Sequence, residues 1–125
     1  MLPFRVEFKT GSPVSEQLIY AVKKAVISGQ MQTGDKFPSV RTLSQELRIN
    51  PNTAHKVIAA LISQGLLEVK PGIGTIVGTN PKATPQQRSE LLGENVEQLV
   101  VEAKKLRLEV EDVTRAVVQH WNKLS

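Results

Sequence analysis

The 125-residue sequence contains no cysteine, so neither a disulfide framework nor a thiolate metal site can be assembled from its side chains. Histidine is almost as scarce. His55 and His120 fall in separate parts of the chain, and no metal or other cofactor is expected. Long apolar runs are missing too. Residues 1–9 alternate apolar side chains with Arg5, Glu7 and Lys9, unlike the core of a secretory signal, and no stretch approaches the length of a membrane span. The expectation is a cytoplasmic setting with no membrane partner. Catalytic patterns are absent as well: there is no Ser/His/Asp set, and the glycines around Ile73 lack the following helix that a phosphate-cradling loop requires. An enzyme is therefore not expected.

The length suits one domain, or a small domain with an appendage, and it leaves no room for a large cleft. The net charge of +4 is unevenly placed. Residues 1–79 hold nine Lys and Arg against five acids, whereas residues 80–125 hold seven of each, so the whole excess lies in the first part. A basic head joined to a neutral module suits a polyanion-binding unit with a separate assembly element.

Apolar periodicity divides the chain. Phe4, Val6 and Phe8 alternate, predicting a short extended arm that ends at Gly11, Ser12 and Pro13. Leu18, Ile19, Val22, Ala25 and Val26 then follow helical spacing until Gly29. A second helix starts after Ser39, a natural N-cap, and carries Val40, Leu43 and Leu47 as its buried row. A third begins with Asn50 as cap and Pro51 at the first helical position, and Gly65 stops it. Its inner face is Ala54, Val57, Ile58, Leu61 and Ile62. So short a link between the last two helices predicts a helix-turn-helix. Residues 66–69 and 75–77 read as two strands around a glycine-bearing loop, a hairpin or wing.

The polar segment 79–87 reads as a linker. Beyond it Leu92, Val96, Leu99, Ala103 and Leu106 form one helical row, and Val110, Val113, Val117, Trp121 and Leu124 form another, with a turn near Arg107. The expected fold class is mainly α with a small β-hairpin. A winged helix-turn-helix domain spans residues 1–78, its reading head roughly 33–78, and a two-helix dimerisation module spans 88–125.

A helix-turn-helix sets its second helix in the DNA major groove, so polar groups should crowd the outer side of that helix near its start. Asn52, Thr53, His55 and Lys56 are placed there. Asn suits adenine N6 and N7, Thr offers a hydroxyl and a methyl, and Lys reaches guanine or a phosphate. Each could equally be a solvated surface residue, with Asn52 and Thr53 serving the helix start. Arg41 lies in the first turn of the preceding helix and suits a bidentate contact to phosphate or guanine, or a surface ion pair with Glu46 or Asp35. Ser39 and its neighbouring N–H groups could bind a phosphate, in competition with capping. In the wing, Lys70 is the candidate phosphate contact. Gly72 and Gly74 permit either a tight turn or a close backbone approach to DNA, and the tip residue Ile73 is apolar.

The order of these elements and the string GDKFPSVRTLSQELRINPNTAHKVIAALISQGLLEVKPGIGTIV resemble the GntR family of bacterial transcriptional regulators, and the short tail is similar to that of its YtrA-like subfamily. The motifs GD, PSVR, NPNT, the GLL turn and GxGT occur in the right order over about residues 12–78. The resemblance implies operator contacts by Arg41, by Asn52, Thr53, His55 and Lys56, and by Gly72. It also implies control of a neighbouring operon, often one encoding an ABC transporter and usually by repression. His55 stands where many members have Arg, and Lys56 follows it. Arg107 replaces the usual glycine of the tail turn, and Glu109 stands where a hydroxyl cap is common.

Two isolated amphipathic helices cannot bury their rows alone. A homodimer joined through Leu92, Val96, Leu99, Leu106, Val113, Val117 and Trp121 is the economical answer; packing on the chain's own head is the alternative. Such a dimer would present two recognition helices to a two-fold double-stranded operator. The short tail leaves no room for a separate effector domain, so an unidentified small-molecule effector would need a junction or interface. The competing function is a winged-helix protein-interaction module that reads no DNA.

Overall fold

In a computed structural model describing residues 1–125, the chain divides into two units, Met1–Asn80 and Pro81–Ser125. The first unit is built on helical rows. Helix α1 (Val14–Ile27) buries Leu18, Val22 and Ala25, α2 (Val40–Leu47) buries Leu43, and α3 (Pro51–Ser63) buries Ala54, Val57, Ile58 and Leu61. These side chains meet in one core, completed by Met31, Phe37, Leu66, Leu67 and Val77. Each fully buried Leu or Val contributes ~1.5–3 kcal/mol relative to an exposed one.

The helix ends follow the sequence signals. The Ser39 hydroxyl accepts the Thr42 N–H at 3.2 Å, and the Asn50 side chain accepts the Asn52 N–H at 2.8 Å, with Pro51 opening α3. Gly65 adopts φ 77°, a conformation glycine enters without a Cβ penalty, and stops α3. The turn after α2 is less ordinary. Arg48 occupies the left-handed region at φ 54° while the Ile49 N–H reaches back to the Ser44 carbonyl at 3.1 Å, giving a Schellman-type ending with arginine where glycine is usual.

The hairpin joins β1 (Leu67–Lys70) to β2 (Gly74–Val77), antiparallel, with Leu67 opposite Val77 and Lys70 opposite Gly74. It is displaced slightly from the expected strands. Leu66 stays in the corner after α3, its N–H bonded to the Leu61 carbonyl, and Lys70 pairs right up to the turn.

Two features of this unit exceed the sequence expectation. Residues 34–37 run along the free edge of β2: the Gly34 N–H donates to Val77 O at 2.9 Å, Val77 N–H to Asp35 O at 2.8 Å, and Phe37 N–H to Thr75 O at 2.8 Å. The N-terminal arm forms no strand, yet its alternation survives as burial. Phe4 is 4% exposed and stacks on Phe37 with ring centroids 6.0 Å apart, while Val6 and Phe8 are half-buried. Gln17 of α1 secures the arm's far end, accepting from the Lys9 N–H and donating to the Lys9 carbonyl, both at 2.8 Å.

In the second unit, the segment read as a linker through residue 87 is helical from Pro85 onward. Thr84 and Gln87 form a capping box, Gln87 N–H to Thr84 Oγ1 at 3.1 Å and Thr84 N–H to Gln87 Oε1 at 2.9 Å, which the sequence reading overlooked. Helix α4 (Pro85–Glu90) passes through a π-helical turn (Leu91–Asn95) into α5 (Val96–Lys105), and α6 (Val110–Lys123) follows. The connecting turn is a full Schellman motif: Leu108 N–H bonds Ala103 O and Arg107 N–H bonds Lys104 O, both at 3.0 Å, with Arg107 at φ 59°. The missing glycine therefore leaves the turn intact. Asp112 accepts the Glu109 N–H at 2.9 Å at the start of α6.

Gly78 closes the first unit where space is shortest. Its N–H bonds Leu66 O at 2.8 Å, and a Cβ added there would lie 2.7 Å from the Gly65 carbonyl oxygen and 3.0 Å from Glu68 Cγ. Gly78→Ala is expected to cost ~1–3 kcal/mol through this backbone clash. Urea unfolding of the full chain checks it, and an unchanged midpoint would contradict the packing described.

Candidate nucleic-acid interface

The candidate surface comprises three pieces: the start of α2, the outer side of α3 and the hairpin. Burial of Ala54, Val57, Ile58 and Leu61 orients α3, leaving Asn52, Lys56, Ala59 and Ser63 on the opposite, exposed side. Asn52 and Lys56, one turn apart, thus project outward. His55 lies on the flank toward the hairpin, one turn before Ile58 and in the row that continues to Ile62. Thr53 is half-buried on the other flank. The arrangement separates His55 and Lys56, which sequence alone leaves equivalent: Lys56 stands on the crest and His55 in the cleft beside it.

At the start of α2, Ser39 is committed to capping. Its oxygen accepts from Thr42 N–H, and its hydroxyl donates to Thr42 Oγ1 at 3.1 Å. The Val40 and Arg41 amides of the first turn have no intrahelical acceptor, so the anion-attracting property of the helix start resides in backbone rather than in the serine hydroxyl. Arg41 is exposed and makes no ion pair. Glu46 instead pairs with the Met1 ammonium at 2.7 Å, and the Asp35 carboxylate accepts the Gln32 N–H at 2.8 Å. Both acids that could have neutralised Arg41 are engaged elsewhere.

In the hairpin, Lys70, Pro71, Gly72 and Ile73 form a type II turn. Pro71 fits the second position, Gly72 at φ 79° the third, and Ile73 N–H bonds Lys70 O at 3.0 Å. Glycine at residue 72 is thus required by the turn itself, whatever approaches it. Lys70 is exposed and unpaired.

Two cations escaped the sequence reading. Lys36 precedes Phe37 in the segment paired to β2 and lines the cleft that also holds Ser39 and His55, and Arg48 sits exposed in the turn between α2 and α3. The available signal was Lys36 directly ahead of the PSVR string, but its placement beside the hairpin depends on long-range pairing. Lys36, Arg41, Arg48, Lys56 and Lys70, from five separate stretches of the first unit, are all exposed and none is in an ion pair. No group of His, Cys, Asp and Glu anywhere in the chain is arranged to hold a metal ion.

The tail residues expected to associate are open to solvent. Ala103 is buried and Val113 half-buried where α5 and α6 meet near their turn, but Leu106 is 68% and Trp121 75% exposed, and Leu92, Val96, Leu99 and Val117 are exposed too. Between the helices lies an open groove of about 590 Å³, lined by Leu99, Leu106, Val117 and Trp121 among others, with Glu102, Asp112 and His120 on its walls.

Two helices linked by a tight turn, the second followed by a hairpin, define a winged helix-turn-helix, the architecture of DNA-binding regulators. The chain belongs to the bacterial regulatory proteins of the gntR family, whose pattern it matches over residues 14–77. It is 32% identical over 108 residues to the HTH-type transcriptional repressor YtrA of Bacillus subtilis (strain 168), a match covering 86% of this chain and 83% of that one. Among solved structures, a transcriptional regulator from Oenococcus oeni is 26% identical with a TM-score of 0.63, covering 92% of this chain and 96% of that one. A transcriptional antiterminator from Listeria monocytogenes EGD-e superposes with a TM-score of 0.85 over 97% of this chain and 91% of that one; at 23% identity it speaks for the fold. The matched proteins are transcription regulators, in keeping with the non-enzymatic expectation.

Because the Ser39 hydroxyl is a cap, Ser39→Ala should lower thermal stability by ~1 kcal/mol, and Ser39→Asp, an equally good cap, should restore most of it. Equal stability of all three proteins in thermal unfolding would show that the cap carries no weight.

Proposed function

We propose that this protein is a sequence-specific, homodimeric regulator that binds a two-fold double-stranded DNA operator and represses a neighbouring operon. The observation that carries the DNA reading is the set of unpaired cations and amides on the α2 start, the α3 crest and the hairpin. Asn52 and Lys56 are the base readers in this reading, Arg41 a base or phosphate contact, and Lys70, Lys36 and the α2 amides phosphate contacts, with Thr53, His55 and Gly72 supporting from the flanks. Repression is supported by the name of the Bacillus relative. An ABC transporter operon as target, and any small-molecule effector, rest on the subfamily resemblance alone.

Dimerisation is supported by the open tail. Apolar side chains cover a broad arc of α6, Val113, Val117 and Trp121 with Val110 and Val118 beside them, wider than one neighbouring helix can bury. A second copy offering the same surface closes it by symmetry and brings two recognition helices into one assembly. Light scattering at micromolar concentration should report twice the chain mass. Leu99→Asp should report the chain mass itself with the head still folded. A monomeric wild-type protein overturns the dimer.

The DNA reading is tested by selecting duplexes from a random-sequence pool and measuring affinity for the recovered sites. Arg41→Ala should lose ~1–3 kcal/mol of binding if the guanidinium makes a bidentate base contact. Lys70→Ala should weaken all duplexes alike and reduce the slope of log affinity against log salt by about one. A folded dimer that enriches no sequence would favour the protein-interaction alternative.

A further inference from the structure

The inner face of the hairpin continues past the core that supports it. Leu67 and Val77 face each other on this side and are fully buried, and the next pair outward, Val69 opposite Thr75, lies on the same side. There the cover runs out: Val69 is 62% exposed, and Ile73, at the turn, is 57% exposed. Both border a cleft of about 440 Å³ whose opposite walls are the His55, Ile58 and Ile62 row of α3 and the Lys36 to Ser39 approach to α2. The cleft has an apolar wall, four basic or polar residues in Lys36, Ser39, His55 and Thr75, and no acidic residue in its lining.

We propose that this cleft seats the edge of a DNA strand, with Ile73, supported by Val69, making a dry contact to the apolar C–H surface of the duplex. The inference rests on the DNA-binding reading and adds a residue class it did not contain. Charge selects the occupant: Lys36 lines the cleft with His55 and no carboxylate opposes them, so the groove suits a polyanion that also carries apolar edges. Duplex DNA has two such edges, the deoxyribose rings between phosphates and the methyl groups of thymine. The turn geometry makes the contact inexpensive in entropy. Pro71 and Gly72 fix the turn, and the β-branched Ile73 has few rotamers to lose.

The experiment uses the full-length protein and a duplex recovered by random-pool selection, with affinity measured across a salt series. Ile73→Ala should weaken binding about ten-fold, leave the salt slope unchanged because no phosphate contact is lost, and leave the melting temperature unchanged because the side chain is exposed. Ile73→Val should retain most of the affinity. Repeating the measurement on the same duplex with uracil for thymine separates the two apolar sources: a loss that persists assigns the sugar edge, and a loss that disappears assigns the methyl groups. Equal binding by wild type and Ile73→Ala overturns the inference while leaving the DNA reading in place, and so does a loss accompanied by a smaller salt slope. A wild-type chain that binds no duplex from the pool overturns both.

Discussion

Three backbone hydrogen bonds between residues 34–37 and the outer edge of β2 govern the geometry of the head. They give β2 a neighbour on each side, β1 on one and residues 34–37 on the other, so its backbone edge is covered. They also fix where α2 begins, since the paired segment ends at Phe37 and α2 opens three residues later. The Arg41 end of α2 and the hairpin are consequently parts of one hydrogen-bonded piece. A slip of one residue in this pairing would exchange the buried Phe37 for the exposed Lys36 and remove the partner on which Phe4 stacks.

The sequence made legible whatever is decided within a few residues. Ser39, Asn50, Pro51 and Gly65 act locally, and their positions bounded α2 and α3 correctly; the rows Leu18, Val22 and Ala25 or Ala54, Val57 and Leu61 likewise carried their own period. The parts that stayed hidden depend on partners distant in the chain or on competition between local preferences. The edge pairing to β2 spans some forty residues, roughly the separation that makes a strand partner invisible to periodicity. Phe4 reads as one apolar residue in a short arm until Phe37 is brought beneath it. Arg48 and Arg107 carry no turn signal, because local backbone bonding holds each in a region that its Cβ disfavours. On the candidate surface, residue types at the α3 start were legible, but the division between Lys56 on the crest and His55 in the cleft required knowing which side the hairpin occupies.

The two units solve the burial problem in opposite ways. In the first, every buried residue is apolar, no buried side-chain polar atom lacks a partner, and the core draws on all its elements. In the second, helix formation is complete, with a capping box at Thr84 and a Schellman turn at Arg107, while the apolar rows remain uncovered. Secondary structure there is specified by end signals, and the exposed apolar rows are what the proposed association would bury.

The structure holds only two ion pairs, Met1 with Glu46 and Arg115 with Asp112, both at the surface and neither within the core. Surface pairs of this kind contribute little and are readily screened. Added salt accordingly has few charge pairs to screen inside the head, so its fold should stay nearly constant across an ionic-strength series that would probe the proposed DNA contact.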